Sequence, residues 1–297
     1  DASNWSLGVN ASIFGIVDNV DDGDQATSFS VICSSADPLY ANLTANSTVE
    51  IVDIDAAGLV SSLSSDVHDV SENGTSTDFF IRLGTAPTAP VSVTLSISDE
   101  TECAFEFDSS LIDFYFNSAI EVVLTFNSST WLTQRWVTIR GVDDFIDDGN
   151  QQCHVVVKSV ESADQVYNTL LDDGASGVSG DTLYIILNWD DDEAGAELTP
   201  LALVVSESDT TVQPPIVHTA SIVLLSEPAE PPVRIVYNSS NPAEVLCQGT
   251  VEFDATNWNI PQELTVVAVN DDRVDGDSVA IVSFSEAVSE GSDYDGS

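Results

Sequence analysis

An acidic, glycine-containing segment occurs three times in this chain of 297 residues. The copies read GIVDNVDDGDQ at 15–25, GVDDFIDDGNQ at 141–151 and VNDDRVDGD at 269–277. They lie about 126 and 127 residues apart, a distance typical of one domain. Repetition at a fixed spacing predicts one structural unit that is used more than once, with each copy adjoining the next.

Three further landmarks recur in step with the acidic segments. Val-Ser-Glu occurs at 70–72 and 205–207, a tryptophan before a β run at 131 and 258, and an acidic exit ending in Ala-Gly at 53–58 and 190–195. Their order divides the chain into the second half of one unit at 1–58 (the first segment), a complete unit at 59–195 (the middle unit) and a unit at 196–297 without its exit strand (the third unit). This division is expected for a piece of a longer array.

Short runs of alternating apolar residues predict β-strands along the whole chain. Examples are 91–97, 136–139 and 264–269, where apolar side chains take mainly every second position. Aspartate, asparagine, glycine and proline interrupt such runs about every 8–12 residues, a spacing typical of a β-sandwich. The stretch 59–67 is the one helix candidate. We therefore expect an all-β chain of tandem antiparallel β-sandwiches.

Together these motifs resemble the Calx-beta family of repeat modules. The resemblance depends on Val-Ser-Glu, the later Pro-Thr-Ala-Pro-Val run, a tryptophan and the Gly-Val-Asp-Asp loop ending in Asp-Gly, and it covers most of the chain. Asp-Gly here replaces the family's glutamate-rich continuation of the loop. The resemblance implies an immunoglobulin-like sandwich of about seven strands with calcium at one tip.

The resemblance also implies which residues bind calcium. In the middle unit they are Glu72, Asp143, Asp144, Asp190, Asp191 and Asp192, with Asp99 as a further early acid. In the other two parts of the chain they are Glu207, Asp271 and Asp272, and Asp18, Asp53 and Asp55.

Spacing within the acidic loop itself points to a metal. Carboxylates two to four residues apart can converge on one ion, a spacing found at Asp143, Asp144, Asp147 and Asp148. Calcium takes about six to eight oxygen ligands, and carboxylates held together without a cation repel one another. A solvated Asp-Gly turn is the alternative interpretation. Recurrence of the pattern at unit boundaries favours calcium, which would stiffen the joints between units.

The charge of the chain excludes several kinds of partner. Fifty acidic residues accompany six Lys and Arg, which gives a formal net charge of -44. Nucleic acids and anionic membrane surfaces require basic side chains, so neither is expected as a partner. Membrane insertion is not expected either, because no apolar run approaches the ~20 residues of a spanning helix.

The four cysteines, Cys33, Cys103, Cys153 and Cys247, form no C-x-x-C pair, so a zinc or redox motif has no support. Cys103 and Cys247 occupy matching places in the repeat. A Cys103–Cys153 bridge would leave Cys247 without a counterpart, because the aligned position is near Ala280. Bridges within a unit, between units and between chains are therefore all open.

Seven Asn-x-Ser/Thr sequons predict N-linked glycans and a secreted protein, extracellular or at the cell surface. They are at Asn4, Asn10, Asn42, Asn46, Asn73, Asn127 and Asn238.

The sequence contains no nucleophile elbow, no His-Glu-x-x-His and no phosphate loop. Glu102 and Glu106 have the spacing of a carboxylate pair, but acids on strands are usually solvated, so we expect no enzyme. The leading hypothesis is a structural segment of an extracellular filament, appendage or matrix. Its partners would be neighbouring modules and copies of itself or other filament subunits. The alternatives are an adhesion stalk of a cell-surface protein and spacer modules of a large secreted enzyme.

Overall fold

The computed structural model describes residues 6–62, 67–106, 114–171, 182–211, 216–271, 273–274 and 276–285. Within these ranges the chain is almost entirely β, which confirms the predicted fold class. The helix candidate at 59–67 is wrong where the structure describes it, because Leu59–Ser61 form a strand and Val67 begins another, while 63–66 lie outside the described residues. Helical turns occur instead at Gln165–Asn168 (α1) and Glu207–Thr210. In the described ranges, no helix has both the length and the apolar character needed to cross a membrane.

The first segment contributes one antiparallel hairpin. Strands β1 (Gln25–Ile32) and β2 (Thr44–Ile51) pair along their full length, with Gln25 opposite Ile51. Apolar side chains such as Phe29 and Val31 are exposed on this hairpin. Among the described residues, no second sheet covers it.

The middle unit is a sandwich of two sheets. Its strands are β3 (Leu59–Ser61), β4 (Val67–Ser71), β5 (Ser76–Leu83), β6 (Val91–Ile97), β7 (Cys103–Phe105), β8 (Phe114–Ser118), β9 (Glu121–Phe126), β10 (Arg135–Gly141), β11 (Gln151–Ser162) and β12 (Thr182–Trp189). One sheet has the order β3-β5-β10-β7 and the other β4-β12-β11-β6-β9-β8. Neighbouring strands are antiparallel except β4 and β12, which run in parallel with Ser71 opposite Trp189.

Alternation along the strands builds the core of the middle unit. Every second residue of β6, from Val91 to Ile97, is buried, as are Phe79, Ile81 and Leu83 of β5. Burial of one such side chain contributes about 1.5–3 kcal/mol, whereas an exposed ion pair such as Lys158–Glu121 contributes at most about 1 kcal/mol. The apolar rows therefore hold the two sheets together.

A disulfide adds a covalent link between the sheets, since it joins Cys103 in β7 to Cys153 in β11. Cys33 and Cys247 are free. The sequence-based matching of Cys103 with Cys247 is wrong. Cys103 lies opposite Gly141, and the corresponding residue, opposite Ala268, is Val245. Cys247 lies two residues further on and is buried in the core of the third unit.

The third unit repeats this plan with fewer described strands. They are β13 (Ala196–Thr199), β14 (His218–Leu224), β15 (Val233–Ser239), β16 (Val245–Leu246), β17 (Gln248–Phe253), β18 (Gln262–Ala268) and β19 (Val282–Phe284). The sheets have the orders β13-β14-β18-β16 and β17-β15-β19. In the middle unit, β11 pairs with β6 on one side and with β12 on the other. The strand in the matching place of the third unit is β19, and among the described strands it pairs only with β15. A groove of about 950 Å³ opens there onto Cys247, Val266 and Phe284.

Candidate metal centre

Three chain segments meet at one end of the middle unit: the turn after β4, the loop 142–150 after β10 and the exit 190–195 after β12. The parallel pairing of β4 with β12 places Glu72 beside the exit, because the backbone N–H of Glu72 donates to the carbonyl oxygen of Trp189 (3.1 Å). The loop arrives from the other sheet, since β10 ends at Gly141. Strand pairing therefore gathers acids that lie far apart in the sequence.

Two overlapping groups of carboxylates share Glu72. Oxygen atoms of Glu72, Asp143 and Asp191 lie within 4.8 Å of one another, and so do oxygen atoms of Glu72, Asp190 and Asp192. Glu72 is only 5% exposed, whereas Asp143 and Asp191 are open to solvent. We refer to these five residues as the carboxylate cluster. All five are among the acids that the family resemblance implies.

Hydrogen bonds from the backbone fix the shape of the loop and the exit. Asp144 Oδ1 accepts from the N–H of Ile146, and the two carboxylate oxygens of Asp190 accept from the N–H groups of Asp192 and Gly149, each at 2.8 Å. Gly149 has a φ of +74°, which favours glycine at this position. Because a carboxylate oxygen has more than one lone pair, these bonds leave acceptor capacity for a cation.

Two further polar residues belong to the site, and spacing alone does not identify them. Asn188 is fully buried in β12, and its Nδ2 lies 3.2 Å from each of Glu72 Oε1, Glu102 Oε2 and the carbonyl oxygen of Val142. Glu102 is 6% exposed, so the expectation that it is solvated is wrong. It enters the site because the next residue, Cys103, pairs with Gly141 at the start of the loop.

One sequence signal for Asn188 was available. Buried side chains alternate along β12 through Tyr184 and Ile186, and Asn188 continues the same inward row. Buried polar residues are unusual unless they are hydrogen-bonded or functional.

The electrostatics of the site reflect its crowding. Burial, followed by the charges of Asp144, Asp190, Glu102 and Asp192, raises the pKa of Glu72 to about 8. Desolvation and then neighbouring aspartates raise the pKa of Asp192. Although Asp148 is an exposed residue, desolvation of its carboxyl group and the charges of Glu102, Asp144 and Asp190 raise its pKa to about 6. The protein thus confines negative charge more closely than is favourable without a cation or a proton.

The donors present fit a hard divalent cation. The cluster offers carboxylate oxygens only, and hard cations such as calcium prefer oxygen ligands, about six to eight of them. Glu72 Oε2 is buried and has no hydrogen-bond partner, which leaves it available to a ligand. Soft ions are disfavoured at this cluster because it contains no histidine or cysteine. Glu72, Asp143, Asp190, Asp191 and Asp192 are the residues that would hold calcium here.

The same loop contacts the third unit, and we name this region the second joint (141–150, 190–195 and 225–227). The carbonyl oxygen of Phe145 accepts from the N–H of Glu227, and the Phe145 ring lies 5.7 Å from the ring of Trp258. Asp147, which the sequence predicts as a ligand, lies outside the cluster. Its Oδ2 accepts from the N–H of Ala194 at 2.7 Å and so braces the exit against the loop.

A region of the same design links the first segment to the middle unit, and we name it the first joint (15–24, 53–58 and 84–86). Asp18 accepts from the N–H of Val20, and Asp53 accepts from the N–H groups of Gly23 and Asp55. Further contacts mirror the second joint: Asp21 Oδ2 accepts from Ala57 N–H, and the carbonyl oxygen of Asn19 accepts from Ala86 N–H. Burial and the charges of Asp53 and Asp18 raise the pKa of Asp55.

The structure separates other predicted ligands from the cluster. Asp99 is exposed and accepts from the N–H and the hydroxyl of Thr101, so Glu102, rather than Asp99, is the acid of this turn that reaches the site. In the third unit, Asp271 accepts from the N–H of Arg273 and lies 3.6 Å from its guanidinium group. Glu207 lies in the helical turn beside the groove. Asp272 lies outside the described residues.

The sequon at Asn4 also lies outside the described residues. The other six sequon asparagines are exposed: Asn10, Asn42, Asn46, Asn73, Asn127 and Asn238. Their exposure is compatible with glycosylation, which stays a prediction.

Comparison with known proteins gives a limited result. No protein-family model matches the chain, and no curated protein matches it. The chain is similar to the solved structure of the calcium binding domain CBD12 of CALX1.1 (15% identity, TM-score 0.32), with 74% of this chain and 78% of that chain covered. It is also similar to CBD12 from CALX1.2 (14% identity, TM-score 0.29), with 76% and 80% covered. The function of this chain is therefore inferred from its own residues.

Proposed function

We propose that this chain is a structural segment of tandem β-sandwich units in which calcium, bound by the carboxylate cluster, fixes the joint between the middle and third units. The observation that carries the proposal is the double role of loop 142–150. Asp143 of this loop belongs to the cluster, while Phe145 and Asp147 of the same loop hold the third unit and the exit.

Electrostatics explains how an ion would act on the joint. Without calcium, the ionised acids of the loop and the exit repel one another, and burial together with the surrounding charges raises the pKa of Glu72 to about 8, so that Glu72 holds a proton at neutral pH that calcium has to displace. Calcium removes the repulsion and ties loop to exit. Because both elements also contact the third unit, calcium restricts the angle between the units.

The proposed setting is extracellular, in a filament, appendage or matrix, with neighbouring units and copies of the chain or other subunits as partners. A disulfide between the two sheets of the middle unit supports an oxidising compartment. Six exposed sequons and a net charge of -44 support a glycosylated surface in contact with water. We propose no enzyme activity for this segment.

The test combines calorimetry and small-angle X-ray scattering on the full chain. Calcium titration should give saturable binding, and the scattering in calcium should show a narrower range of shapes and a longer maximum dimension than in EDTA. Glu72→Gln should remove most of this difference, and Asp99→Asn is the matched control that should retain it. Absence of binding at millimolar calcium would refute the metal site, and identical scattering in both conditions would refute the stiffened joint.

The filament hypothesis has its own measurement. Electron microscopy of the purified glycosylated chain in calcium should show ordered end-to-end assemblies that dissociate in EDTA. A chain that stays monomeric at every concentration in calcium would favour a spacer or stalk instead.

A further inference from the structure

We infer that Asn188 is the positioning residue of the metal centre: its side-chain amide holds Glu72 and Glu102 together across the two sheets and thereby sets the affinity for calcium. This inference rests on the proposed function for its calcium part. Its structural part, the pairing of one amide with two buried glutamates, stands on the geometry alone.

The amide links the two sheets of the sandwich, which are not joined to each other by strand pairing. Glu72 follows β4 and Asn188 belongs to β12, both in the six-stranded sheet. Glu102 precedes β7 and Val142 follows β10, both in the four-stranded sheet. All three acceptors lie 3.2 Å from Nδ2 of Asn188. One NH₂ group therefore links the two sheets at the end of the sandwich where the carboxylate cluster lies.

The chemistry of this position suits an amide. Two nearly buried glutamates need a donor, and an NH₂ group donates two hydrogens without adding charge. A lysine here would place a positive charge where the cation binds, an aspartate would add a third negative charge, and an aliphatic side chain would leave both glutamates without this partner. By engaging Glu72 Oε1, the amide leaves the buried, unpartnered Oε2 as the free oxygen of that glutamate.

The surroundings are shaped to admit this side chain. A Cβ atom on Gly141 would lie 2.4 Å from Asn188 Oδ1 and 2.4 Å from the carbonyl oxygen of Ser71, so only glycine fits opposite the amide. Asn188 Oδ1 is buried without a hydrogen-bond partner. An unpaired buried acceptor is unfavourable. The flipped amide would be less favourable still, because it would direct that oxygen at the carboxylates of Glu72 and Glu102. The observed orientation gives both glutamates a donor.

The experiment uses the full chain with three variants. Asn188→Leu keeps the size of the side chain and removes the hydrogen-bond donor. Asn188→Asp keeps the shape but replaces the donor with a negatively charged acceptor. Ile186→Val is the control, because it loosens the same inward row of β12 without touching the amide. All are compared by calcium calorimetry well below their melting temperatures. Loss of a residue that orients metal ligands typically weakens metal binding about 10- to 100-fold, which is the loss expected for Asn188→Leu and Asn188→Asp. Ile186→Val should stay within about twofold of the unmodified chain.

A second measurement separates positioning from mere stabilisation. In Asn188→Leu, the further change Glu102→Gln should weaken calcium binding much less than it does in the unmodified chain, because Glu102 has already lost its orienting partner. Equal losses in both backgrounds, or a full calcium affinity in folded Asn188→Leu, would overturn the inference.

The pairing itself is tested without metal. In EDTA, the side-chain NH₂ signals of Asn188, identified by their loss in Asn188→Asp, should shift in Glu72→Gln and in Glu102→Gln but not in Asp99→Asn. Unchanged signals would overturn the pairing even if calcium binds. If the signals shift but the unmodified chain binds no calcium, the pairing is upheld, whereas the proposed function fails and the affinity part of the inference fails with it.

Discussion

The first and second joints share a backbone frame but differ at the residues that would complete a metal site. In both, an exit aspartate accepts from the N–H of the loop glycine, at Asp53 with Gly23 and at Asp190 with Gly149. Among the described residues, however, groups of three carboxylates with oxygens within 4.8 Å of one another occur only in the carboxylate cluster, beside the second joint. The frame therefore does not depend on a tight carboxylate cluster.

The two joints differ in what faces the glycine that begins each acidic segment. Gly141 faces the amide of Asn188, whereas the corresponding Gly15 faces the aliphatic side chain of Ile51. The loops differ as well, since Phe145 at the second joint has Asn19 as its counterpart at the first. Aspartates and glycines build the frame, whereas a buried glutamate, an amide and an aromatic ring distinguish the second joint.

The largest effect is expected from an added methyl group at the two matching glycines. Gly141→Ala should lower the free energy of unfolding of the middle unit by about 3 kcal/mol, because the new Cβ would overlap the backbone oxygen of Ser71 in β4. Gly15→Ala should be tolerated, since its Cβ would lie 3.7 Å from Ile51 Cγ2, an ordinary contact. Urea denaturation of both variants checks this, and equal effects would show that the two joints are packed alike.

Calcium affinity should distinguish the joints next. Glu72→Gln should weaken the tightest calcium binding at least about tenfold, equivalent to ~1.4 kcal/mol, because Glu72 belongs to both carboxylate groups. Asp53→Asn, at the first joint, should leave that affinity unchanged. Calorimetry on the two variants decides the matter, and a greater loss in Asp53→Asn would transfer the principal site to the first joint.

The pH dependence of the metal-free chain should follow Glu72. Its pKa is about 8 in the folded chain and 4.5 as the ordinary value, so between these limits the folded state binds the proton more tightly than the unfolded state. The stability contributed by the proton is therefore complete below pH 4.5 and is lost as the pH rises through about 8. Melting temperatures of the middle unit in EDTA should fall from pH 5 to pH 8. Glu72→Gln should flatten this slope, and an unchanged slope would assign it to other groups.

The smallest effect is expected from the aromatic contact at the second joint. Phe145→Ala removes a ring pair with Trp258 that is worth about 0.5–1.5 kcal/mol. It should reduce the calcium-dependent change in scattering while calcium affinity stays within about twofold. Asn19→Ala is the control, because the described contact of Asn19 with the middle unit uses its backbone oxygen. A loss of calcium affinity in Phe145→Ala would mean that the ring supports the metal site directly.

Local patterns in the sequence predict the frame of the site well. Alternating apolar runs predict the strands, and the spacing of carboxylates in the loop predicts Asp143. Glu72, Asp190, Asp191 and Asp192 are implied by the family resemblance, and the structure places them just after the ends of β4 and β12.

The remaining residues depend on contacts between strands that no local pattern specifies. Glu102 reaches the site only through the pairing of Cys103 with Gly141, and its neighbour Asp99 caps its own turn instead. The matching of Cys247 with Cys103 fails by two residues because the register of β16 against β18 places Val245 opposite Ala268.

The side-by-side course of β4 and β12 governs how the middle unit would carry tension. The chain enters the sandwich through the short strand β3, continues through β4 and leaves through β12. Strands β4 and β12 run in the same direction with five paired positions, from Val67 to Ser71. A pull on the two ends would slide the strands past each other, so the bonds between them share the load instead of breaking one after another. The Cys103–Cys153 disulfide keeps the residues between its cysteines from contributing to extension. The middle unit is therefore built to resist stretching along the line of the chain.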